Sequence, residues 1–528
     1  MRILLLFILS SLFIQLNAQT APEIEWEKSY GGSHWDLVGE IVNTSDGGYL
    51  IAGSSQSDDG DITINKGGTD FWIIKLNSEG ALIWEKSYGG STHDTAGSVV
   101  ELSNENGYVI VGDTMSNDGD VTPNDSSVAW WVIRIDLEGN LIWEKTLGGE
   151  GYNRANSVIQ INDEEIMIAG VSDMEGGDVT VNYGGADFWV VKMDIDGNLI
   201  WEKSYGGSGD ESPEQIIQTI DGNFLLVGFS NSSDGHISSP QGNDDNDYWV
   251  IKIDGEGNLL WEKSYGGSGA GGFMGFGDGA NAVVESIDGG FVVVGASSSL
   301  DGQVTGNHGG TEDFWIIKID NTGHLVWEKS YGGFHMDNAS AIVQTEEGNF
   351  IIAGSSASVD GDITNHHEEW PGREDVWVIE INQDGELLWE KSYGGTAIEF
   401  TRDMVLNPEG EIIILAVTYS ESGDGDVSQN HGMADIWILK LDREIMGLSE
   451  KEIGKIAYYP NPVNDVLYLS FDQSISAISI VDLSGKIVFQ QSIGAEKAQI
   501  DLTFLSKGIY IVKTQSEGGT QTFKIVKE

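Results

Sequence analysis

The sequence contains no cysteine, only 8 prolines, and 27 basic residues against 84 acidic ones. Without cysteine the chain forms no disulfides and cannot carry the lipidated cysteine of a bacterial lipoprotein. The net charge of −57 repels nucleic acid and anionic membranes and attracts cations. Residues 19–455 hold 20 basic and 77 acidic residues, an excess that fits either solubility outside the cell or metal binding.

Long hydrophobic runs are also missing, because no apolar segment reaches the length of a membrane-spanning helix. The first apolar run extends from Ile3 to Ile14, after Arg2 and shortly before Ala18. A basic start, a short apolar stretch and a small residue at the cleavage position predict a removable secretory signal at residues 1–18. We therefore expect an exported protein without a transmembrane segment.

No segment shows sustained helical spacing of apolar residues, whereas tryptophan recurs with a period of about sixty residues. The tripeptide Trp-Glu-Lys begins at Trp26, Trp84, Trp143, Trp201, Trp261, Trp327 and Trp389. A second series consists of Trp72, Trp131, Trp189, Trp249, Trp315, Trp377 and Trp437. These series use 14 of the 17 tryptophans, so the repeat is genuine, and we expect the strand tryptophans to be packed in the core.

One period, from Asp94 to Gly149, divides into four short strands separated by turns rich in Asn, Asp and Gly. Such turns supply the positive φ angles that hairpins need, and four antiparallel strands make a propeller blade. The chain opens on a lone fourth strand at residues 23–30, and the last repeat ends on a third strand, Asp435–Asp442. We therefore predict an all-β fold: a closed seven-bladed β-propeller over residues 19–445, whose last blade the N-terminal strand completes.

The repeat resembles one that is common in large secreted proteins of Bacteroidetes and some archaea. The resemblance is carried by runs such as Asp187-Phe188-Trp189 and Leu199-Ile200-Trp201-Glu202-Lys203-Ser204-Tyr205-Gly206-Gly207. It covers about 420 of the 528 residues. It specifies the fold and says little about activity, since propellers carry many unrelated functions.

After a linker at residues 446–456, residues 457–528 show alternating strands that predict a small, Ig-like β-sandwich. Four features occur in order: Tyr459-Pro460-Asn461-Pro462, Asp482-Leu483-Ser484-Gly485-Lys486, Lys507-Gly508-Ile509-Tyr510 and Lys524-Ile525-Val526-Lys527. This domain resembles the C-terminal sorting domain of the Bacteroidetes type IX secretion system, although Glu528 follows the usual terminal lysine. The resemblance implies contact with the secretion machinery, removal of the domain, and release or attachment at the cell surface.

The loop between the second and third strands carries Asp-Gly-Asp in four repeats. The carboxylates concerned are Asp59, Asp61, Asp118, Asp120, Asp360, Asp362, Asp424 and Asp426. Carboxylates and carbonyls on a tight glycine turn suit Ca²⁺, so these residues are candidate calcium ligands. However, the spacing is not that of an EF-hand loop, and Asp and Gly also simply make turns. Both interpretations stay open.

Of the three tryptophans outside the two series, Trp35 and Trp370 lie in loops on the face that we expect to carry the long loops. They are candidates for stacking on sugars, on the face where binding residues usually lie. The cluster His366-His367-Glu368-Glu369 lacks the helical spacing of a zinc protease. The sequence contains no recognisable catalytic signature, and we assign no catalytic residue.

Uniform repeats favour a non-enzymatic binding or scaffold module for a glycan or protein. The alternative is an extracellular hydrolase or lyase of polysaccharides, which needs only two facing carboxylates. A quinone-dependent dehydrogenase is disfavoured, because such propellers usually have eight blades and no cofactor site is recognisable here. Residues of individual character that converge at the propeller axis would favour an enzyme.

Overall fold

A computed structural model of the chain describes residues 21–123, 127–241, 245–269, 277–367, 372–442, 457–459, 463–481, 487–516 and 519–527. The chain divides into two compact units, Met1–Arg443 and Glu444–Glu528. Secondary structure in the described residues is entirely β-strand. Within these residues, nothing resembles a helix with the length and apolar character needed to cross a bilayer.

The first unit consists of seven four-stranded antiparallel sheets, which confirms the predicted propeller. Blades 1 and 2 are β2 (Asp36–Asn43), β3 (Tyr49–Ser55), β4 (Asp70–Leu76), β5 (Leu82–Tyr88), β6 (Asp94–Glu101), β7 (Tyr108–Thr114), β8 (Ala129–Ile135) and β9 (Leu141–Leu147). Blades 3 and 4 are β10 (Asn153–Asn162), β11 (Glu165–Ser172), β12 (Asp187–Asp194), β13 (Leu199–Tyr205), β14 (Glu211–Gln218), β15 (Phe224–Ser230), β16 (Asp247–Ile253) and β17 (Leu259–Tyr265). Blades 5 and 6 are β18 (Asp278–Glu285), β19 (Phe291–Ser297), β20 (Asp313–Ile319), β21 (Leu325–Tyr331), β22 (Asp337–Gln344), β23 (Phe350–Ser356), β24 (Asp375–Ile381) and β25 (Leu387–Tyr393).

Blade 7 is assembled from both ends of the first unit. Its first three strands are β26 (Glu399–Leu406), β27 (Ile412–Thr418) and β28 (Asp435–Asp442), and its fourth is β1 (Glu23–Tyr30). Strand β1 pairs antiparallel with β28, from Glu23 opposite Asp442 to Tyr30 opposite Ile436. Without β1, the third strand β28 would be left as an unpaired outer edge of blade 7.

Burial explains the two tryptophan series. The tryptophans of the third strands, such as Trp72, are fully buried between neighbouring blades. The tryptophans of the Trp-Glu-Lys series are mostly half-buried, because they lie on the outermost strand of each blade. One of them, Trp84, donates its indole N–H to Leu137 O of the next blade (3.2 Å). The expectation that every strand tryptophan belongs to the core is therefore correct for one series, while the other covers the blade boundary.

The first strand of each blade lies innermost, because the first strands of neighbouring blades contact one another around the whole ring. Each of these strands contains a β-bulge near its middle. A bulge adds one residue to a strand and redirects its side chain. The residues at the bulge are Gly39, Gly97, Asn156, Glu214, Asn281, Ser340 and Arg402.

The second unit is a five-stranded antiparallel sheet. Its strands are β29 (Ala457–Tyr459), β30 (Val466–Val481), β31 (Ile487–Asp501), β32 (Gly508–Ser516) and β33 (Gly519–Lys527). The order is β29-β30-β32-β33, and β31 also pairs with β30. Residues including Leu467, Ile480 and Val512 form its buried core.

Candidate functional site

The loops between the second and third strands and the loops between blades lie on one face of the propeller, the long-loop face. On this face the predicted calcium loops bind the turns that connect neighbouring blades. Asp61 N–H donates to Gly31 O (3.0 Å), and Gly31 N–H donates back to Asp61 Oδ2 (3.2 Å). Ser33 N–H donates to Asp59 Oδ1 (2.7 Å). Asp-Gly-Asp therefore grips the Gly-Gly turn that enters its own blade, and its sharp turn depends on Gly60 at a φ of 66°.

The same grip recurs in the other loops. Backbone N–H groups of the entering turn donate to Asp118, Asp120, Asp360, Asp362, Asp424 and Asp426. In blade 4 His236 replaces the second acid and its Nδ1 contacts Gly206 N (3.1 Å). All eight candidate carboxylates thus have protein partners. No three His, Asp or Glu side chains in the described ranges form a metal-holding group, and calcium binding stays a prediction.

Trp35 lies on the long-loop face, directly before β2, and 45% of its surface is exposed. It pairs with Ala434 of blade 7 through an isolated parallel bridge. Two further apolar side chains are exposed close to the start of an innermost strand: Leu37 in β2 and Phe400 in β26. The other predicted stacking residue, Trp370, falls outside the described residues.

The bulge residues bring unlike polar groups together at the axis. Glu214 of blade 4 is influenced by Arg402 of blade 7 and Arg154 of blade 3. Burial raises the pKa of Glu214, while both guanidinium charges act to lower it. Arg154 also lies 3.7 Å from Asp113 Oδ1, and burial raises the pKa of Asp113 to about 6 against the charge of Arg154. The axis therefore combines half-buried acids with two arginines.

In five of the seven blades the residue after the bulge has a structural role. Glu40 Oε2 accepts hydrogen bonds from Ser98 Oγ (2.5 Å) and Val99 N (2.7 Å) of the next blade. In the same way, Asp403 Oδ2 accepts Ile41 N–H (3.0 Å). Equivalent bonds join Ser98 to Val158, Ser157 to Ile216 and Gln215 to Val283. These side chains satisfy the backbone donors that the bulges release from the strand ladder.

Glu40 and Asp403 are also electrostatically linked. Burial, followed by the charge of Asp403, raises the pKa of Glu40. Burial raises the pKa of Asp403 as well, whereas its hydrogen bond from Ile41 and the charge of Arg402 lower it. Two neighbouring carboxylates in a poorly solvated channel resist ionising together. One can therefore hold a proton while the other carries charge.

We did not identify the axial residues from the sequence. The fourth residue of the first strand varies through Gly, Asn, Glu, Ser and Arg, but the second and fifth residues of that strand vary as widely, so the fourth does not stand out in the sequence. The variable position can be interpreted as a site only when it is known to be a bulge at the axis. From a comparison of the repeats alone, such variation indicates only that the fold tolerates different residues there.

The chain is similar to several known proteins. The chain is 24% identical over 401 residues to the regulatory protein FlaEY of Caulobacter vibrioides, covering 68% of this chain and 40% of that one. It thus spans less than half the length of this curated relative. Sqt1 of Chaetomium thermophilum is similar over 80% of this chain and 100% of its own (TM-score 0.41, 12% identity). PorZ, a surface component of the type IX secretion system of Porphyromonas gingivalis, is similar over 93% of this chain and 74% of its own (TM-score 0.21, 12% identity).

Residues 457–528 match the secretion system C-terminal sorting domain family. That match confirms the resemblance identified from the four sequence features of this region, and such a domain implies contact with the secretion machinery and delivery to the cell surface or beyond. The predicted signal at residues 1–18 falls outside the described residues and stays a prediction. The chain is therefore an exported seven-bladed β-propeller followed by a region, residues 457–528, that matches the secretion system C-terminal sorting domain family.

Proposed function

We propose that this protein is a non-enzymatic glycan-binding module, displayed at the cell surface or released, whose ligand binds where the axial channel opens on the long-loop face. The observation that carries the proposal is the set of unlike polar groups at the axis. Such a set would by itself favour an enzyme, but the linked acids there, Glu40 and Asp403, already accept backbone N–H groups, so we place binding first. Arg402, Glu214 and Asn281 occupy equivalent positions in blades whose third and fourth strands are nearly the same. A scaffold alone would need no such differences.

The chemistry of the opening suits a neutral sugar chain. Exposed Trp35, Leu37 and Phe400 offer apolar surface for sugar rings, and the deeper carboxylate, amide and guanidinium groups can bond hydroxyls. Asn281 Nδ2 already donates to Asn338 Oδ1 (2.7 Å), so part of this polar layer is preorganised. With a net charge of −57, the surface disfavours sulfated or uronic polysaccharides.

A glycan array with the mature chain, followed by calorimetry on the hits, tests this proposal. We expect Trp35→Ala and Arg402→Ala each to weaken binding at least about tenfold, which corresponds to about 1.4 kcal/mol. The matched control is Phe334→Ala, because Phe334 is an exposed aromatic in an entering loop at another blade boundary. Glycan binding that survives both axial changes would place the site elsewhere, and binding of a protein ligand alone would replace glycan with protein.

Hydrolysis or cleavage of an extracellular polysaccharide is the second candidate, favoured by the linked pair Glu40 and Asp403. Their raised pKa values allow one carboxyl to donate a proton while the other accepts one. Both side chains also bind backbone N–H groups, which is why we place binding first. Reducing-end release by the native protein that Glu40→Gln abolishes, with unchanged thermal stability, would favour the enzyme.

A further inference from the structure

Pairs of buried acids face each other at six of the seven blade boundaries. In each pair one acid begins the third strand of a blade and the other begins the first strand of the next blade. The pairs are Asp70 with Asp94, Asp187 with Glu211, Asp247 with Asp278, Asp313 with Asp337, Asp375 with Glu399, and Asp435 with Asp36. All twelve side chains are at most 2% exposed.

The pair between blades 3 and 4 has the simplest surroundings. Asp187 Oδ2 accepts Tyr183 N–H (2.5 Å), but Asp187 Oδ1 has no hydrogen-bond partner among the described residues. Glu211 accepts Ser230 Oγ–H at Oε1 (2.7 Å) and Gly207 N–H at Oε2 (2.7 Å). A Cβ on Gly206 would overlap both Asp187 Oδ1 and Glu211 Oε2, so the two oxygens press on the same side of this glycine.

The orphaned oxygen is a repeated feature. The equivalent Oδ1 atoms of Asp70, Asp313, Asp375 and Asp435 also have no hydrogen-bond partner in the part of the chain that the structure describes. A buried polar atom without a partner is costly, and the same omission in five blades needs an explanation. A hydrogen atom on one carboxyl of each pair would supply the missing partner.

The remaining boundary, between blades 2 and 3, has neither acid. Ala129 begins the third strand and Asn153 begins the next first strand. Asn153 satisfies itself locally, since its Nδ2 donates to Val128 O (2.9 Å) and its Oδ1 accepts Ser172 Oγ–H (2.7 Å). At this boundary Ala129 replaces one acid and the neutral amide of Asn153 replaces the other. The two acids are therefore either both present or both absent.

No cation compensates the Asp187 and Glu211 pair, because neither forms an ion pair with a Lys or Arg of the described residues. The titratable groups around it are Tyr183 and Tyr205 on either side, His236 beside Gly206, and Asp210, which accepts Ala186 N–H. Burial, and then the charge of Glu211, raises the pKa of Asp187 to about 7, although the Tyr183 N–H lowers it.

We propose that Asp187 and Glu211 form a proton-binding site, in which one proton is shared and Asp187 Oδ1 donates to Glu211 Oε2 in the native protein near neutral pH. Because Gly206 has no side chain, both oxygens can lie against the same backbone segment, at the place that a Cβ would occupy. The protonated pair satisfies the orphaned oxygen and removes the repulsion between the carboxylates.

The shared proton makes stability depend on pH with a definite sign. In the unfolded chain Asp187 returns to a pKa of about 3.9, so unfolding near neutral pH releases the proton. The contribution of the pair is fully present below about pH 4 and is lost as pH rises through the native pKa. Mild acidity therefore tightens this blade boundary, and mild alkalinity weakens it.

The test compares proton release on unfolding, measured by calorimetry in buffers of different ionisation enthalpy. At about pH 6 we expect the Asp187→Asn variant to release one proton fewer on unfolding than the native chain. We also expect its melting temperature to fall less than that of the native chain between about pH 5.5 and 8. Glu211→Gln removes the neighbouring charge but not the burial that raises the Asp187 pKa, so we expect it to reduce proton release in the same direction but by less. This second variant protects the test against a single variant that does not fold. An infrared carboxylic acid band at neutral pH should shrink in both variants.

The acid-free boundary offers a gain-of-function control. Ala129→Asp combined with Asn153→Asp installs a seventh pair, and we expect the double variant to release one more proton on unfolding. Unchanged proton release in Asp187→Asn and Glu211→Gln would overturn the proposal. So would a rise in melting temperature with calcium, at fixed pH and ionic strength, that both variants lose, because a metal ion would then occupy the pair.

Discussion

The indole Nε1 of Trp72 donates a 3.0 Å hydrogen bond to Glu85 Oε2 on the neighbouring strand of the same blade. All seven blades repeat this bond between the third-strand tryptophan and the Glu of Trp-Glu-Lys. Thr63, in the preceding loop, donates to the other carboxylate oxygen, Glu85 Oε1 (2.5 Å). The glutamate of the most regular motif in the sequence therefore links the buried tryptophan, the outermost strand and the loop through hydrogen bonds.

Breaking one of these links should destabilise the propeller. Glu85→Ala leaves the buried indole N–H of Trp72 without its acceptor, which costs about 1–3 kcal/mol. Denaturant titration followed by tryptophan fluorescence measures the change. The control is Glu79→Ala, because Glu79 is exposed in a turn of the same blade. Equal stability of the two variants would mean that water replaces Glu85 as the acceptor.

Closure of the ring by β1 predicts a strong effect of N-terminal truncation. Deleting residues 19–30 removes the partner of β28 and exposes its edge, so we expect self-association and a large fall in melting temperature. A chain that begins at Pro22 keeps the bond from Tyr393 Oη to Pro22 O (2.7 Å) and serves as the control. Light scattering with chromatography distinguishes monomer from aggregate. An unchanged, monomeric truncation would contradict closure by β1.

Removal of the sorting domain should change location without changing the propeller. In a host with type IX secretion, we expect a chain without residues 457–528 to be retained in the periplasm. Circular dichroism and melting of the purified fragment check that the propeller still folds. Normal amounts of the shortened chain outside the cell would contradict a sorting role for this domain.

Calcium binding at the Asp-Gly-Asp loops remains a proposal that melting experiments can test. A cation bound only by the folded state adds about 2.7 kcal/mol at a hundredfold excess over Kd. Specific binding predicts a higher melting temperature in calcium than in sodium at equal ionic strength, and loss of that difference in Asp59→Asn with Asp61→Asn. Equal effects of the two cations would leave these loops as blade clasps alone.

The sequence determined the blade count and the topology because the physics of a repeat is local. Each period contains its own strands, turns and tryptophans. The incomplete repeats that contain Glu23–Tyr30 and Asp435–Asp442 predict how the ring closes. Asp-Gly and Gly-Asn turns select hairpins within a few residues. The sorting domain could also be identified from the sequence, because its four features follow one another in order along the chain.

Only the tertiary structure decided what the side chains of different blades do to each other. Glu214 lies in blade 4 and Arg402 in blade 7, and their interaction exists because bulges turn both toward one axis. Asp187 and Glu211 look like ordinary strand-initiating acids until Gly206 brings their oxygens to one side. Charge and burial act through distance in space, and a sequence repeat fixes distance only along the chain.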